Sequence, residues 1–184
     1  ESSSQTEITM LESPFLADGE FQELASMFPE QVRRIDCTFE ADGPDALAGA
    51  LSRIRLDAED AVRSGESHIV LTDENTSASR LGVPMILATS AVHSWLTRKG
   101  LRTFCSLNVR ASDCIDPHDV AVLIGCGATT VNPYLAQATL ADRIRRGLLA
   151  GNLAQIMARY RDAIDGGLLK IMAKMGISVV SSYR

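Results

Sequence analysis

Between residues 45 and 63 the apolar positions fall at Leu47, Ala50, Leu51, Ile54, Ala58, Ala61 and Val62. That spacing of three and four predicts a helix with one buried face. Asp42-Gly43-Pro44 turns the chain into it, with proline suited to a helix start, and Ser64-Gly65 closes it. A short apolar run then gives way to another such helix, and the pattern repeats. "RIDCTF" (34–39), "HIVLT" (68–72), "LRTFCSLNV" (101–109), "ATTVNP" (128–133) and "GISVV" (176–180) read as strands. "VPMILATSAVHSWLTRKG" is a helix opened by Pro84 and stopped by Gly100, and "DPHDVAVLIGCG" a short one led by Asp116-Pro117. Helices over 134–146 and 152–174 follow, the second with Leu153, Ile156, Met157, Tyr160 and Ile164 on one stripe. Near the start, Asp18 is placed to cap a helix carrying Phe21, Leu24, Ala25 and Phe28 on one face, which Pro29 ends. Residues 1–10 form a polar, flexible lead-in.

The order is β-α-β-α-β-α-β-α-α-β, with strand-to-strand steps of roughly thirty residues, the length of a βαβ unit. The strands read as apolar throughout rather than alternating, which predicts helices on both faces of the sheet. The fold class is therefore α/β: a parallel sheet of about five strands with flanking helices and right-handed crossovers. An open doubly wound sheet and a segment of a (β/α) barrel both satisfy this order. Five strands are too few to close an eight-stranded barrel, so the barrel version is truncated and TIM-barrel-like.

Composition narrows the chemistry. The 184 residues are 46% hydrophobic and 22% charged, ordinary for a globular domain. A net charge of -5 argues against a nucleic-acid partner. The basic cluster "DRIRRG" (142–147) reads as solvated charge at a helix C-terminus. No stretch approaches the ~20 apolar residues of a membrane span, so no membrane partner is expected. The N-terminus lacks the basic and apolar regions of a signal peptide. It also lacks an initiator Met, and the chain is expected to be cut or processed there. Cys37, Cys105, Cys114 and Cys126 are irregularly spaced without a C-x-x-C, which points to reduced thiols and a cytoplasmic location. His68, His93 and His118 show no metal-ligand spacing.

Ligands of α/β folds sit at the carboxyl ends of the strands. Three polar segments lie there. "TDENTSASR" (72–80) supplies Asp73, Glu74 and Asn75 as a domain-interface or ligand loop. "NVRASD" (108–113) holds Asn108, Arg110 and Asp113, which also reads as ordinary surface polarity. "NPY" (132–134) is a turn in which Pro133 is fixed and Asn132 is able to bond its own backbone. Gly125 and Gly127 end a helix rather than following a strand, so no dinucleotide fingerprint is present. Neither a P-loop lysine nor a G-x-S-x-G is found.

The strings "LTDENTSASRLGVPMILATSAVHSWLTRKGLRT", "GATTVNPYLA" and "GLLKIMAKMGIS" resemble the large chain of glutamate synthase. The likeness is to its central domain running into the start of its FMN-binding synthase domain. The closing motif matches at Lys170, Met172, Lys174, Met175, Gly176, Ile177, Ser178, Ser182, Tyr183 and Arg184. "SPFL" and "SAVH" match as well. Departures occur at Ala173, Cys126 and Glu74-Asn75, where the family often has Ser, Tyr and Arg-Gly. The resemblance divides the chain into a lead-in (1–10), the central α/β domain (11–165) and a junction (166–184) into a synthase domain beyond it. On that division "GISVV" is the first step into the next domain.

The resemblance implies a multidomain oxidoreductase. Glutamine, 2-oxoglutarate and a reductant become two glutamates, with ammonia passing through an internal channel. The implied partners are the amidotransferase and FMN-binding domains of the same parent chain, and a small reductase subunit. FMN and an iron–sulfur cluster belong to the parent, and this fragment is expected to hold no cofactor and to be inactive alone. Its expected role is a scaffold that lines part of the channel, with Thr38 and Met10 facing the ammonia route. The alternative is a free-standing small-molecule- or phosphate-binding α/β module.

Overall fold

A computed structural model describes residues 11–183. Its elements in chain order are α1 (Asp18–Met27), β1 (Val32–Asp36), β2 (Thr38–Glu40), α2 (Ala46–Arg63), β3 (His68–Thr72) and β4 (Arg80–Gly82), then α3 (Met85–Arg98), β5 (Ser106–Arg110), α4 (Pro117–Gly125), β6 (Thr130–Asn132), α5 (Tyr134–Arg145) and α6 (Leu153–Met175). Strands β1, β3, β5 and β6 form one parallel sheet in that order. Strands β2 and β4 make a separate antiparallel ribbon.

The strand order follows the chain order. A doubly wound sheet reverses direction at a switch point, and this one does not. With right-handed crossovers a monotonic order places every crossover helix on the same face. This is the arrangement of a (β/α) barrel segment. Helices α2, α3 and α4 accordingly pack on one side of the sheet.

Against the expectation of strands apolar throughout, only β3 keeps an apolar run, at Ile69, Val70 and Leu71, and the other strands carry polar side chains on the face opposite these helices. The register aligns Ile35, Leu71, Val109 and Val131 in one row, all buried in the main core. The next row is Asp36, Thr72, Arg110 and Asn132, and it points the other way. One row further back stand Arg34, Val70, Asn108 and Thr130. Helix α1 covers this second, inner face, seating Phe21 against Leu16 and Val70.

Among the described residues the parallel sheet has four strands, not five. "GISVV" does not extend it. Gly176, at φ +71°, ends α6 in a left-handed turn, and the Ile177 N–H donates to the Met172 carbonyl at 3.1 Å. Val179 is 52% exposed, and a 3-10 turn over Val180–Tyr183 folds back onto the core. The free edge of β6 is taken from the other end of the chain. Leu16 N–H donates to the Val131 carbonyl (2.9 Å) and Val131 N–H to the Pro14 carbonyl (2.8 Å), so residues 14–16 shield that edge.

Smaller differences have local causes. The chain breaks at Cys37, so 34–39 is two strands in two sheets. Residues 102–104 form a 3-10 turn, and β5 starts only at Ser106. Asp18 is the first helical residue of α1; Ala17 is the cap, its N–H bonded to Glu20 Oε2 at 2.8 Å. On α6 the buried positions are Ile156, Ile164, Leu168 and Met172, while Leu153 is exposed. Helix α6 runs unbroken through residues 165 and 166. At the end of α4, Gly127 has φ +114°, and an added Cβ would lie 2.3 Å from His93 Cγ. Only glycine fits there.

Candidate functional site

The inner-face row at the carboxyl end of the sheet gathers the polar side chains. Its centre is Arg110, whose side chain is 14% exposed. Arg110 Nη1 donates to Asp18 Oδ1 at 2.7 Å and to Asn132 Oδ1. Its Nε donates to Glu74 Oε2 at 2.7 Å. The guanidinium lies over the Tyr134 ring at 4.6 Å and the Phe21 ring at 5.5 Å. One arginine thus ties α1, the β3–β4 loop, β6 and α5 to β5. Arginine suits this task because its planar fork bonds acids in plane while its faces stack on rings.

Of the loop and interface residues Asp73, Glu74, Asn75 and Asn132, two, Glu74 and Asn132, meet on Arg110. Glu74 is shared by Arg110 and Arg34, the latter at 3.7 Å. Asn132 is fully buried and donates to the Leu16 carbonyl (2.9 Å) and to Asp18 Oδ1 (3.1 Å). It therefore bonds to a distant segment, not to its own backbone. Asp73 is 3% exposed and accepts the Ser112 N–H at 3.1 Å and the Ser112 hydroxyl. Burial and the nearby Asp73 charge push the Tyr134 hydroxyl up to about 12. Asn75 stands near the Asp36 carboxylate.

Thr38 sits beside this row, 1% exposed. Its hydroxyl donates to Asp36 Oδ1 at 2.7 Å and accepts from Arg80 Nε at 3.0 Å. Its carbonyl accepts from Arg53 at 2.9 Å. Arg80 also pairs with Asp36 (3.2 Å) and Glu40 (3.7 Å). An open hollow of about 310 Å³ borders Thr38, Glu40, Gly49, Arg53 and Arg80. Burial pushes the Asp36 carboxyl up. The bonds from Thr38, the nearby Asn75 amide and the Arg80 charge together outweigh it, leaving Asp36 below the usual range. Met10 lies outside the described residues.

Asp113 caps α3 from outside, accepting the Met85 N–H at 3.0 Å. Burial, with the nearby Asp73 charge adding, holds its carboxyl above the usual range.

The cysteines do not fit a cluster. Cys37 follows β1 at the carboxyl end of the sheet, while Cys105 precedes β5 at the opposite end. Burial pushes the Cys37 thiol up to about 12, and Cys114 is raised for the same reason. Neither is a thiolate at neutral pH. Among the described residues no group of three or more His, Cys, Asp or Glu is placed to hold a metal ion. The strand exits do not suit a flavin phosphate either, because Ser112 N–H and Arg110 are already engaged by Asp73, Glu74 and Asp18. Among the described residues no helix is long and apolar enough to cross a membrane.

The family model of the glutamate synthase central domain matches residues 1–184. The chain belongs to the glutamate synthase central domain family. It is 54% identical over 186 residues to the glutamate synthase [NADPH] large chain of Azospirillum brasilense, covering all of this chain and 12% of that one. It is 36% identical over 176 residues to the corresponding large chain of Bacillus subtilis (strain 168), covering 95% of this chain and 11% of that one. The chain therefore spans about an eighth of the length of these relatives. Among solved structures, an IMP dehydrogenase/GMP reductase-like protein from Corynebacterium glutamicum aligns over 67% of this chain and 39% of its own, at 17% identity and a TM-score of 0.36.

The sequence marks several strand exits as polar without singling out Arg110. Arg110 was visible in "NVRASD" as one polar residue among several. The signal for its role was the alternation Leu107, Asn108, Val109, Arg110, which puts a charge on a covered face.

Proposed function

We propose that this chain is the scaffold of a glutamate synthase, joining an amidotransferase domain to an FMN-binding domain and lining part of the ammonia route between them. The parent reaction turns glutamine, 2-oxoglutarate and two reducing equivalents into two glutamates. FMN and the iron–sulfur cluster are assigned to the synthase domain, electron delivery to a small reductase subunit, and the whole to the cytoplasm. The observation that carries the scaffold role is the closure of the strand exits. Asp73, Glu74, Arg110 and Asn132 are all engaged by the chain's own groups, where an active site would aim them at a substrate.

A wall for ammonia needs few strong anchors. The Thr38 hydroxyl spends its proton on Asp36 and a lone pair on Arg80, so it offers a passing amine little to hold. Met10 is the second proposed wall residue. The test is Thr38→Val in the full-length parent enzyme, reading glutamine hydrolysed per pair of reducing equivalents consumed. The expected result is excess hydrolysis. A ratio unchanged from the parent would remove Thr38 from the route.

A further inference from the structure

We propose that the outer face of α6 is a docking face for a helix of another domain of the parent chain, a helix with small or apolar residues along one row and acidic residues beside it. This rests on the reading of the chain as one domain of a larger synthase. It names a surface by which the scaffold holds a neighbour.

Gly166 is the residue that calls for a partner. It lies inside a 23-residue helix, where glycine is less favourable than any residue but proline. Nothing among the described residues accounts for it. Its φ is not positive, so no left-handed turn demands glycine, and an added Cβ meets no atom of another part of the described chain within 4 Å. Its neighbour Gly167 is the contrast. A Cβ there would lie 2.4 Å from Pro117 Cβ, so the packing of α4 on α6 explains that glycine. A helix-interior glycine on an open face fits the close approach of a backbone from outside.

The residues around it agree. Ala158, Asp162, Gly166, Leu169 and Ala173 recur at steps of three and four and are all exposed, a row about 22 Å long at the helical rise. Leu169, 66% exposed, stands one turn from the gap left by Gly166. A knob beside a missing Cβ is relief that a second helix fits, ridge into groove. Along one flank stand Arg159, Lys170 and Lys174, also exposed. Among the described residues none of the three forms an ion pair, whereas Arg33, Arg63, Arg80 and Arg110 are each held by an acid. Asp162 alone does not balance them, so the face is basic in a chain of net charge -5 and complements an acidic partner. A second copy meeting this face with its own, in antiparallel, would align cations with cations. Another domain of the parent carries no such penalty, and the chain spans only about an eighth of the length of its relatives.

The test uses the full-length parent enzyme. Hydroxyl-radical footprinting reads the accessibility of Leu169, with the unfolded parent as reference. An uncovered Leu169, 66% exposed, would label nearly as fast as in the unfolded chain. The expected result is labelling about fivefold slower or more, as the desolvated core of an interface requires. Gly166→Trp fills the space of the approaching backbone and should restore most of the labelling. Lys170→Glu combined with Lys174→Glu reverses the flank and should restore part of it. Leu107, fully buried in the core, must stay unlabelled in both variants, which separates undocking from unfolding. Labelling of Leu169 close to the unfolded rate in the unaltered parent overturns the proposal. So does slow labelling that both variants leave unchanged. Slow labelling that is lost on dilution overturns it too, because the cover is then a second copy. Thr38→Val tests the channel-wall reading separately. If that variant is uncoupled while Leu169 labels freely, the wall reading stands and the α6 face has failed.

Discussion

Along β5, Leu107 and Val109 enter the helix-covered core while Asn108 and Arg110 face α1. The two sides of one strand are held by different physics. On the outer face, Ile35, Leu71, Val109 and Val131 make a row with no polar atom to satisfy, and their stabilisation scales with buried area. It is insensitive to direction: any well-packed apolar side chain of the right volume would serve. On the inner face, Arg110 gains little from being buried as such. It is useful because Asp18, Glu74 and Asn132 meet it at defined angles. The outer face makes the sheet stable, and the inner face fixes where loops and α1 sit.

That contrast can be broken from either side. The largest effect is expected on the outer face. Leu71→Ala, at a fully buried site, should cost about 2–5 kcal/mol, read as a lower denaturation midpoint. Loop exchange over 75–80 should change only as global stability does. Arg110→Met should cost less, about 2 kcal/mol, because Asp18 and Glu74 keep partial access to water when their partner is lost. Its signature should be local, with exchange around α1 and the β3–β4 loop rising beyond what the fall in midpoint explains.

The smallest effect is pH dependence, and it belongs to the inner face and its loops. Asp36 titrates below its ordinary 3.8 in the folded chain, so its stabilisation is complete above pH 3.8 and is lost as pH falls through the lower folded value. Asp113 has the opposite sign. Its folded value is raised, so its charged form costs stability above that value, and the cost is relieved as pH falls from there to 3.8. Melting temperature measured against pH should therefore fall less on the acid side, below pH 3.8, in Asp36→Asn. Asp113→Asn should remove a small gain at milder acidity. Equal profiles for all three proteins would sink the assignment.

The periodic segments were legible because burial on one helix face leaves a mark at every third or fourth residue. Helices α2 and α6 fall where the spacing of Ala50, Ile54, Ala58 and their counterparts puts them, and α3 lies between Pro84 and Gly100. The caps were legible where one residue type is demanded, as at Gly100 and Gly127. "GISVV" misled because its apolar composition fits a strand and a packed turn equally, and a strand needs a partner edge. The edge of β6 was already occupied by residues 14–16, whose "SPFL" carries no strand pattern. The β4 strand was hidden for a related reason: "RLG" is too short to show a period and exists only because β2 pairs with it.

The sequence by itself determined the α/β class, the parallel succession of strands, most helix limits and, through "KMGIS" and its companions, the family. Each of these is written in local spacing or in a contiguous motif. Tertiary structure alone decided that the sheet has four strands in chain order, that its inner face is polar under α1, and that Asp18, Glu74 and Asn132 meet on Arg110. Those partners lie 92, 36 and 22 residues from it. An ion pair leaves no periodic trace at such separations, because a charged residue reads the same whether its partner is water or a distant acid.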